Sequence, residues 1–210
     1  MRRLCLLLGL SCLALIWLGP LLSVWRNSFA SHMLAHMGVV AVGAPLIAIG
    51  IAAHPWRSMN RPGVAIVASL IELVIVWGWH APYLRELAQT YLWVTVLEQA
   101  SFLGVGLLLW FSSIATAGGP SSGSRAAGVF GLLLTSIHMT LLGALLALSS
   151  RPLYGLGEVT CLGLRLDAQQ DQTLGGVMML LIGGAVYLTG GLVLLARLLS
   201  GENASRRAVG

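Results

Sequence analysis

The stretch Ser31-His32-Met33-Leu34-Ala35-His36-Met37 opens an apolar run that continues to Ile51, long enough to cross a membrane. Two His-Met pairs recur at a spacing of four, so an α-helix places His32 over His36 and Met33 over Met37 on adjacent faces. Imidazole binds copper, zinc, iron and nickel, and thioether sulfur favours the softer Cu(I). The stretch therefore indicates a transition-metal site, with copper preferred. The alternative is that the methionines fill a core and each histidine bonds a backbone carbonyl.

The composition is that of an integral membrane protein. Of the 210 residues, 57% are hydrophobic and 9% are charged, and the mean hydropathy is +0.88, whereas soluble proteins carry roughly a quarter charged residues. All 12 basic residues are arginine. They lie mostly at segment ends and in short loops, so the net charge of +5 relates to membrane orientation rather than to nucleic-acid binding.

The three cysteines carry little chemistry. Cys5 and Cys12 are seven residues apart and share one face of the first helix, where small buried thiols are ordinary. Cys161 lies in the last loop, and no CxxC pair or even-numbered framework is present.

The apolar pattern predicts an all-α, polytopic bundle. We expect a single transmembrane domain over residues 1–210, with six helices at about 4–24, 29–51, 63–80, 91–113, 126–148 and 173–199. The first helix is expected to stay uncleaved, because no small-x-small site follows it. Glycine pairs at 175/176, 183/184 and 190/191 form a small-residue stripe that favours close helix packing.

Prolines and polar loops punctuate these spans. Pro20 is expected to kink or end the first helix, Pro45 to bend the second and Pro82 to stop the third. Residues 117–124 read as a flexible connector, and 149–172 is the longest polar segment. His54 reads as an interfacial residue of a short loop.

Arginine placement predicts the orientation. With the N-terminus inside, eight arginines fall inside and four outside, which follows the positive-inside rule. Both termini are then cytoplasmic, and the segment Arg151-Pro152-Leu153-Tyr154 lies outside as a helix stop or a partner-docking edge.

Nearly all polar residues of the spans then fall in the outer half of the bilayer. A charge near the bilayer centre costs at least about 2.5–3.5 kcal/mol, so Glu72 and Glu98 are expected to face partners or a cavity. Convergence from several helices predicts a metal or cofactor site, with interhelical hydrogen bonding as the alternative. Its candidate ligands and supporting groups are His32, His36, His80, His138, Glu98, Glu72, Met33, Met37 and Asp171.

Six short motifs, in this order, resemble the CtaG family of cytochrome c oxidase assembly factors, the caa3-type, multi-span family. The resemblance extends over about residues 29–199. The motifs are Phe29-x-x-His32-Met33-x-x-His36-Met37 with Pro45-Leu46 downstream, Trp79-His80-x-Pro82, Leu97-Glu98-x-x-Ser101-Phe102-Leu103, His138-Met139-x-x-Leu142-Gly143, Arg151-Pro152-Leu153-Tyr154, and Asp171-Gln172-x-Leu174-Gly175-Gly176.

The resemblance implies a copper-handling chaperone of the bacterial plasma membrane that serves maturation of haem-copper oxidase, and not an enzyme. Expected partners are haem-copper oxidase subunits, an extracytoplasmic copper donor and membrane lipid, with no nucleic acid. The motif match carries over His32, His36, His80, Glu98, His138 and Asp171. One position departs from the family pattern, because Gln99 stands where a histidine usually follows the glutamate, and glutamine is a poor ligand for a soft metal.

Two other classes of function remain open. Histidines on facing helices can ligate haem, so a haem- or quinone-binding redox protein is one alternative. A metal-free assembly scaffold, whose polar cluster holds helices together, is the other. A metal-dependent hydrolase ranks below both, because His32-x-x-x-His36 lacks the glutamate of the zinc-protease motif.

Overall fold

The structure, a computed structural model, describes residues 1–51, 61–117 and 122–209. Its helices are α1 (Arg2–Leu18), α2 (Phe29–Met37), α3 (Ala44–Ile51), α4 (Pro62–Trp79), α5 (Pro82–Thr90), α6 (Leu92–Ala117), α7 (Ser122–Ala147), α8 (Ala168–Met178) and α9 (Gly184–Val209). Two short π-helical segments, Gly38–Gly43 and Met179–Gly183, join α2 to α3 and α8 to α9. His54 and residues 118–121 of the predicted 117–124 connector lie outside the described residues, and residues 122–124 form the start of α7 rather than a connector.

Several of these helices are long and apolar enough to cross a membrane. Four qualify on their own, namely Phe29–Ile51, Leu92–Ala115, Ser122–Ala147 and Ala168–Ser200. The pair Gly63–Trp79 and Pro82–Thr90, bent by 72°, makes a fifth if it counts as one span. The chain is thus a mostly helical, multi-pass membrane protein. The count of six spans and the orientation of the termini stay predictions.

The first helix is shorter than expected. Helix α1 has 17 residues and ends at Leu18, before the Gly19-Pro20 pair, rather than continuing to residue 24. Proline has no N–H and clashes with the preceding turn, so the helix ends here rather than kinking. Glycines let α1 pack closely on α3, since a β-carbon at Gly50 would lie 2.7 Å from the Leu6 side chain.

Helix α5 is absent from the predicted spans. Pro82 was expected only to stop the third span, and α4 does end at Trp79. Pro82 also starts α5, because a proline fits the first turn of a helix, where its missing N–H has no partner to lose. Helix α5 buries Arg85 and Ala88 against the bundle.

The segment after α7 contains a β-hairpin, which the all-α prediction missed. Strands β1 (Glu158–Cys161) and β2 (Leu164–Asp167) pair antiparallel. The turn residues Leu162 and Gly163 both have positive φ, 51° and 84°, as a two-residue hairpin turn of the primed type requires. Asp167 then caps α8 by accepting a hydrogen bond from the Gln170 N–H, so this helix begins at Ala168, before the predicted residue 173.

The π segment before Pro45 leaves one backbone carbonyl without a helical partner. The Ala44 N–H bonds the carbonyl of Val39, and Pro45 has no N–H, so neither residue can donate to Val40. The Trp110 indole donates to the Val40 carbonyl instead, at 3.1 Å, and the Tyr187 hydroxyl oxygen lies 3.2 Å from the same carbonyl. The predicted irregularity at Pro45 therefore ties α2 to α6 and α9.

Glycines of α8 allow its close approach to α2 and α7, as their stripe predicts. A β-carbon at Gly175 would lie 2.5 Å from Cδ1 of Phe29, and one at Gly176 would lie 2.6 Å from the backbone nitrogen of Ala147. A larger side chain at Gly176 would require the α7 backbone to move, and one at Gly175 would require the Phe29 and Met33 side chains to shift. Helix α8 is thereby held beside the helix that carries His32 and His36.

Candidate metal site at the hairpin end of the bundle

The end of the bundle where α2, α6 and α8 begin and α4 and α7 end is called here the hairpin end. Three buried histidines meet there, and His32, His36 and His80 are called the histidine cluster. The His80 ring centroid lies 6.0 Å from that of His32 and 5.4 Å from that of His36. The parallel rings of His32 and His36 are 6.5 Å apart, one helical turn from each other. This is the stacking that the four-residue spacing predicts.

His80 presents one ring nitrogen to the cluster. Its Nδ1 lies 2.6 Å from the carbonyl oxygen of Val76, and a carbonyl only accepts, so Nδ1 carries the proton. Nε2 then has its lone pair free and lies 3.5 Å from the sulfur of Met33. A backbone carbonyl behind a histidine is the arrangement commonly found where imidazole ligates a metal.

Tyr154 fixes the backbone of His80. Its hydroxyl donates to the His80 carbonyl at 2.6 Å, and its ring stacks on Phe29 at 4.1 Å between centroids. Burial raises the pKa of this hydroxyl above its ordinary value, although the nearby Arg85 guanidinium opposes the rise. Tyr154 therefore remains a proton donor at any physiological pH.

The other cluster nitrogens have no hydrogen-bond partner. Both ring nitrogens of His32 and His36 are buried and unbonded, as are those of His138, which lies within electrostatic range of His36. The Nδ1 of His32 is 3.6 Å from Oε2 of Glu98, too long for a hydrogen bond. Leaving a buried polar group unpaired costs about 1–3 kcal/mol, so these imidazoles are candidates for a ligand that would satisfy them.

The side chains that surround the histidine cluster are aromatic rings and thioethers. The Phe102 ring lies 3.9 Å from that of His36. Met37 lies one turn beyond Met33 and packs on the second π segment, where a β-carbon at Gly183 would lie 3.4 Å from its sulfur. Among the described residues, no group of three or more His, Cys, Asp and Glu side chains is arranged to hold a metal ion. The structure thus gathers nitrogen and sulfur donors in one buried cluster.

Glu72 has partners other than the histidine cluster. Its Oε1 accepts from the Tyr187 hydroxyl at 2.7 Å and its Oε2 from the Thr135 hydroxyl at 3.2 Å. Thr135 is in turn 2.8 Å from the Ser69 hydroxyl. The expectation that Glu72 faces partners is confirmed, and these partners are the hydroxyls of α7 and α9.

Asp171, in the first turn of α8, lies against the start of α2. Its carboxylate accepts from the Ser28 hydroxyl at 2.6 Å and from the backbone N–H groups of Phe29 at 2.6 Å and Ala30 at 3.2 Å. These are amides that a helix leaves unpaired in its first turn. Asp171 therefore stabilises the first turn of the helix that carries His32 and His36.

Gln99 bridges α1 to Glu98. Its side-chain oxygen accepts from the Trp17 indole at 3.3 Å, and its amide nitrogen is 3.5 Å from Oε2 of Glu98. The residue that replaces the family's histidine thus supports the carboxylate beside His32.

Arg85 was missed as a site residue. It is buried on α5 beside the cluster, donates to the Arg26 carbonyl at 3.2 Å and leaves its Nε unpaired. It also lies within electrostatic range of Glu98 and Asp171. The available signal was Pro82 as a helix start, followed by an arginine whose position in the first turns of α5 faces the bundle.

The comparisons agree with the motif pattern. The family model described as cytochrome c oxidase caa3 assembly factor (Caa3_CtaG) matches residues 1–200 of the 210. Searches of the curated proteins and of the solved structures give no significant match. The match spans nearly the whole chain, including α1, which the six motifs leave out. The resemblance read from the sequence is confirmed, and the chain belongs to the family of cytochrome c oxidase caa3 assembly factors.

Proposed function

We propose that this assembly factor handles copper as Cu(I) at the histidine cluster, for delivery to a haem-copper oxidase. The observation that supports it best is a buried group of unpaired imidazoles next to the Met33 sulfur. Copper is the cargo in this proposal and passes through the protein. A carrier of this kind needs no catalytic residue, and none is assigned.

The donor chemistry favours Cu(I) over harder cations. Thioether sulfur is a soft donor and imidazole nitrogen a borderline one, and among the described residues no carboxylate-rich group that suits Mg²⁺ or Ca²⁺ is present. Glu98 places a buried carboxyl group 3.6 Å from Nδ1 of His32. His36 and His80 are the first ligands in this proposal, with Met33 and His32 adding to them and His138 within reach from α7.

Weak binding suits a carrier. The free cysteines lie elsewhere, Cys5 and Cys12 on α1 and Cys161 in β1, so no thiolate holds the metal. Neutral nitrogen and thioether donors release Cu(I) more readily than a thiolate pair.

The proposed setting is the bacterial plasma membrane with the hairpin end outside. An extracytoplasmic copper donor and the oxidase subunits would then meet the protein at the same end as the cluster. Leu153, Leu156 and Leu164 are exposed around the hairpin and offer an apolar surface to such a partner.

The test is copper content and optical spectrum of the detergent-purified protein after Cu(I) loading. Wild type is expected to hold copper that His36→Ala loses, while His54→Ala, which alters the one histidine of the sequence that is not a proposed ligand, retains it. Met33→Leu should weaken retention and Met178→Leu, the same change on a partly exposed methionine, should not.

The remaining outcomes decide between classes of function. A Soret band would indicate the haem-binding alternative. Absence of copper in wild type after loading, together with normal oxidase maturation in a His36→Ala strain, would support the metal-free scaffold.

A further inference from the structure

An open apolar groove lies on the surface of the bundle near the cluster. It lies between the end of α1 with the turn that follows, represented by Trp17 and Leu22, and the first turns of α6, represented by Val96 and Ala100. Its volume is about 430 Å³, and most of its lining is apolar. This is large enough for a stretch of acyl chain.

One end of the groove adjoins a narrow cationic cavity. Leu22 and Thr95 line both, and the cavity continues to Arg26, Arg85 and His32. It has room for about one water-sized group. The apolar groove and the cavity that holds the two guanidinium groups are therefore neighbours, with Leu22 and Thr95 in the wall of both.

The two guanidinium groups have unused donors. The Nε atoms of Arg26 and Arg85 are buried and have no hydrogen-bond partner, and the Arg85 side chain as a whole is 4% exposed. Glu98 and Asp171 lie within electrostatic range of Arg85, yet among the described residues no hydrogen bond or ion pair joins it to either carboxylate. A buried guanidinium with free donors is expected to bind an anion.

We propose that this composite site binds one anionic phospholipid. A phosphate oxygen enters the cavity between Arg26 and Arg85, and an acyl chain lies in the groove against Trp17 and Ala100. Charge complementarity selects a lipid with net negative charge, because basic pockets between transmembrane helices retain such headgroups. An acidic protein segment would satisfy the arginines but leave the apolar groove empty.

The bound headgroup would cover one side of His32. The lipid thereby closes the cluster towards the membrane and leaves exchange to the hairpin end. The proposal stands on the groove and the arginines and does not require that the protein handle copper.

Native mass spectrometry of delipidated protein tests the site. We expect phosphatidylglycerol to bind as one tight equivalent, about tenfold or more tighter than phosphatidylcholine of the same chains. Inorganic phosphate alone should not produce a bound species. Equal binding of the two lipids, or binding of free phosphate in the absence of lipid, would overturn the proposal.

Matched variants locate the lipid. Arg85→Gln should remove the preference for phosphatidylglycerol, while Arg165→Gln, at an exposed arginine of the hairpin, should keep it. Arg85 is buried, so Ala100→Trp provides a second variant that fills the exposed groove without touching the arginines, with Ala185→Trp on the exposed side of α9 as its control. Retention of the tight equivalent in Ala100→Trp would contradict the assignment.

Discussion

Asp171 accepts three hydrogen bonds at the start of α2, and asparagine cannot replace it. An amide has one accepting oxygen, and its NH₂ group would face the Phe29 N–H, which also donates. We expect Asp171→Asn to lower the free energy of unfolding by about 1–3 kcal/mol. Thermal unfolding in detergent measures this.

Asp167→Asn is the matched control. Asp167 caps α8 at an exposed position, where asparagine serves nearly as well as aspartate. A loss of stability as large as that of Asp171→Asn would show that the effect is not specific to the start of α2.

The Tyr187 hydroxyl contacts both the Glu72 carboxyl and the Val40 carbonyl, which has no partner within its own helix. Tyr187→Phe leaves the buried carboxyl with the Thr135 hydroxyl as its partner and should cost about 1–3 kcal/mol of stability. The same change at exposed Tyr83 should have no effect on the melting temperature. Equal melting curves for the two variants would argue against a structural network at Glu72.

At this scale the sequence predicts part of the site. Shared depth in the membrane is enough to bring His32, His36, His80 and Glu98 together, because it depends only on span boundaries. The partners of Asp171 and Glu72 depend on which helices are neighbours and how each is rotated. Helical spacing does not show which helices are neighbours, so the place of Arg85 beside the cluster was not predicted.

Gly175 lies where α8 packs against Phe29 and Met33 of α2. Gly175→Ala would place a methyl group 2.5 Å from the Phe29 ring and 2.9 Å from Cγ of Met33. We expect a loss of about 1–3 kcal/mol of stability, together with weaker Cu(I) retention, since Met33 must move. Melting temperature and copper content are the two readouts.

Gly104 in α6 provides a control, because its change to alanine is expected to raise stability rather than lower it. A β-carbon there would meet nothing within 4 Å. Gly104→Ala should therefore stabilise the helix by about 0.5–1 kcal/mol, because alanine loses less backbone entropy than glycine. Destabilisation by both changes would mean that helix contacts do not explain the effect.

Elements were predictable where apolar length alone decides them. The spans beginning at Phe29, Leu92 and Ser122 follow hydropathy. Helix α5 and the β-hairpin escaped because they are short and partly polar. Local signals existed in both cases, Pro82 as a helix start and Leu162-Gly163 between two alternating runs. Both elements are too short to cross a membrane, so hydropathy does not indicate them.

The arrangement of the whole bundle in the membrane remains a prediction from arginine counts. In a background with Cys5, Cys12 and Cys161 replaced by serine, Leu162→Cys puts a thiol at the exposed hairpin turn. An impermeant maleimide should label it in intact cells, and a cysteine added after Gly210 should react only after permeabilisation. The reverse pattern would place the histidine cluster on the cytoplasmic side.

The carboxylate that holds α2 has a mechanical consequence. Asp167 joins the hairpin to α8, and Asp171 follows one helical turn later, about 6 Å along the axis. A single turn of helix is stiff on this length scale. A force that a docked partner applies to the hairpin is therefore transmitted to the first turn of α2 and to the imidazole of His32 just beyond it.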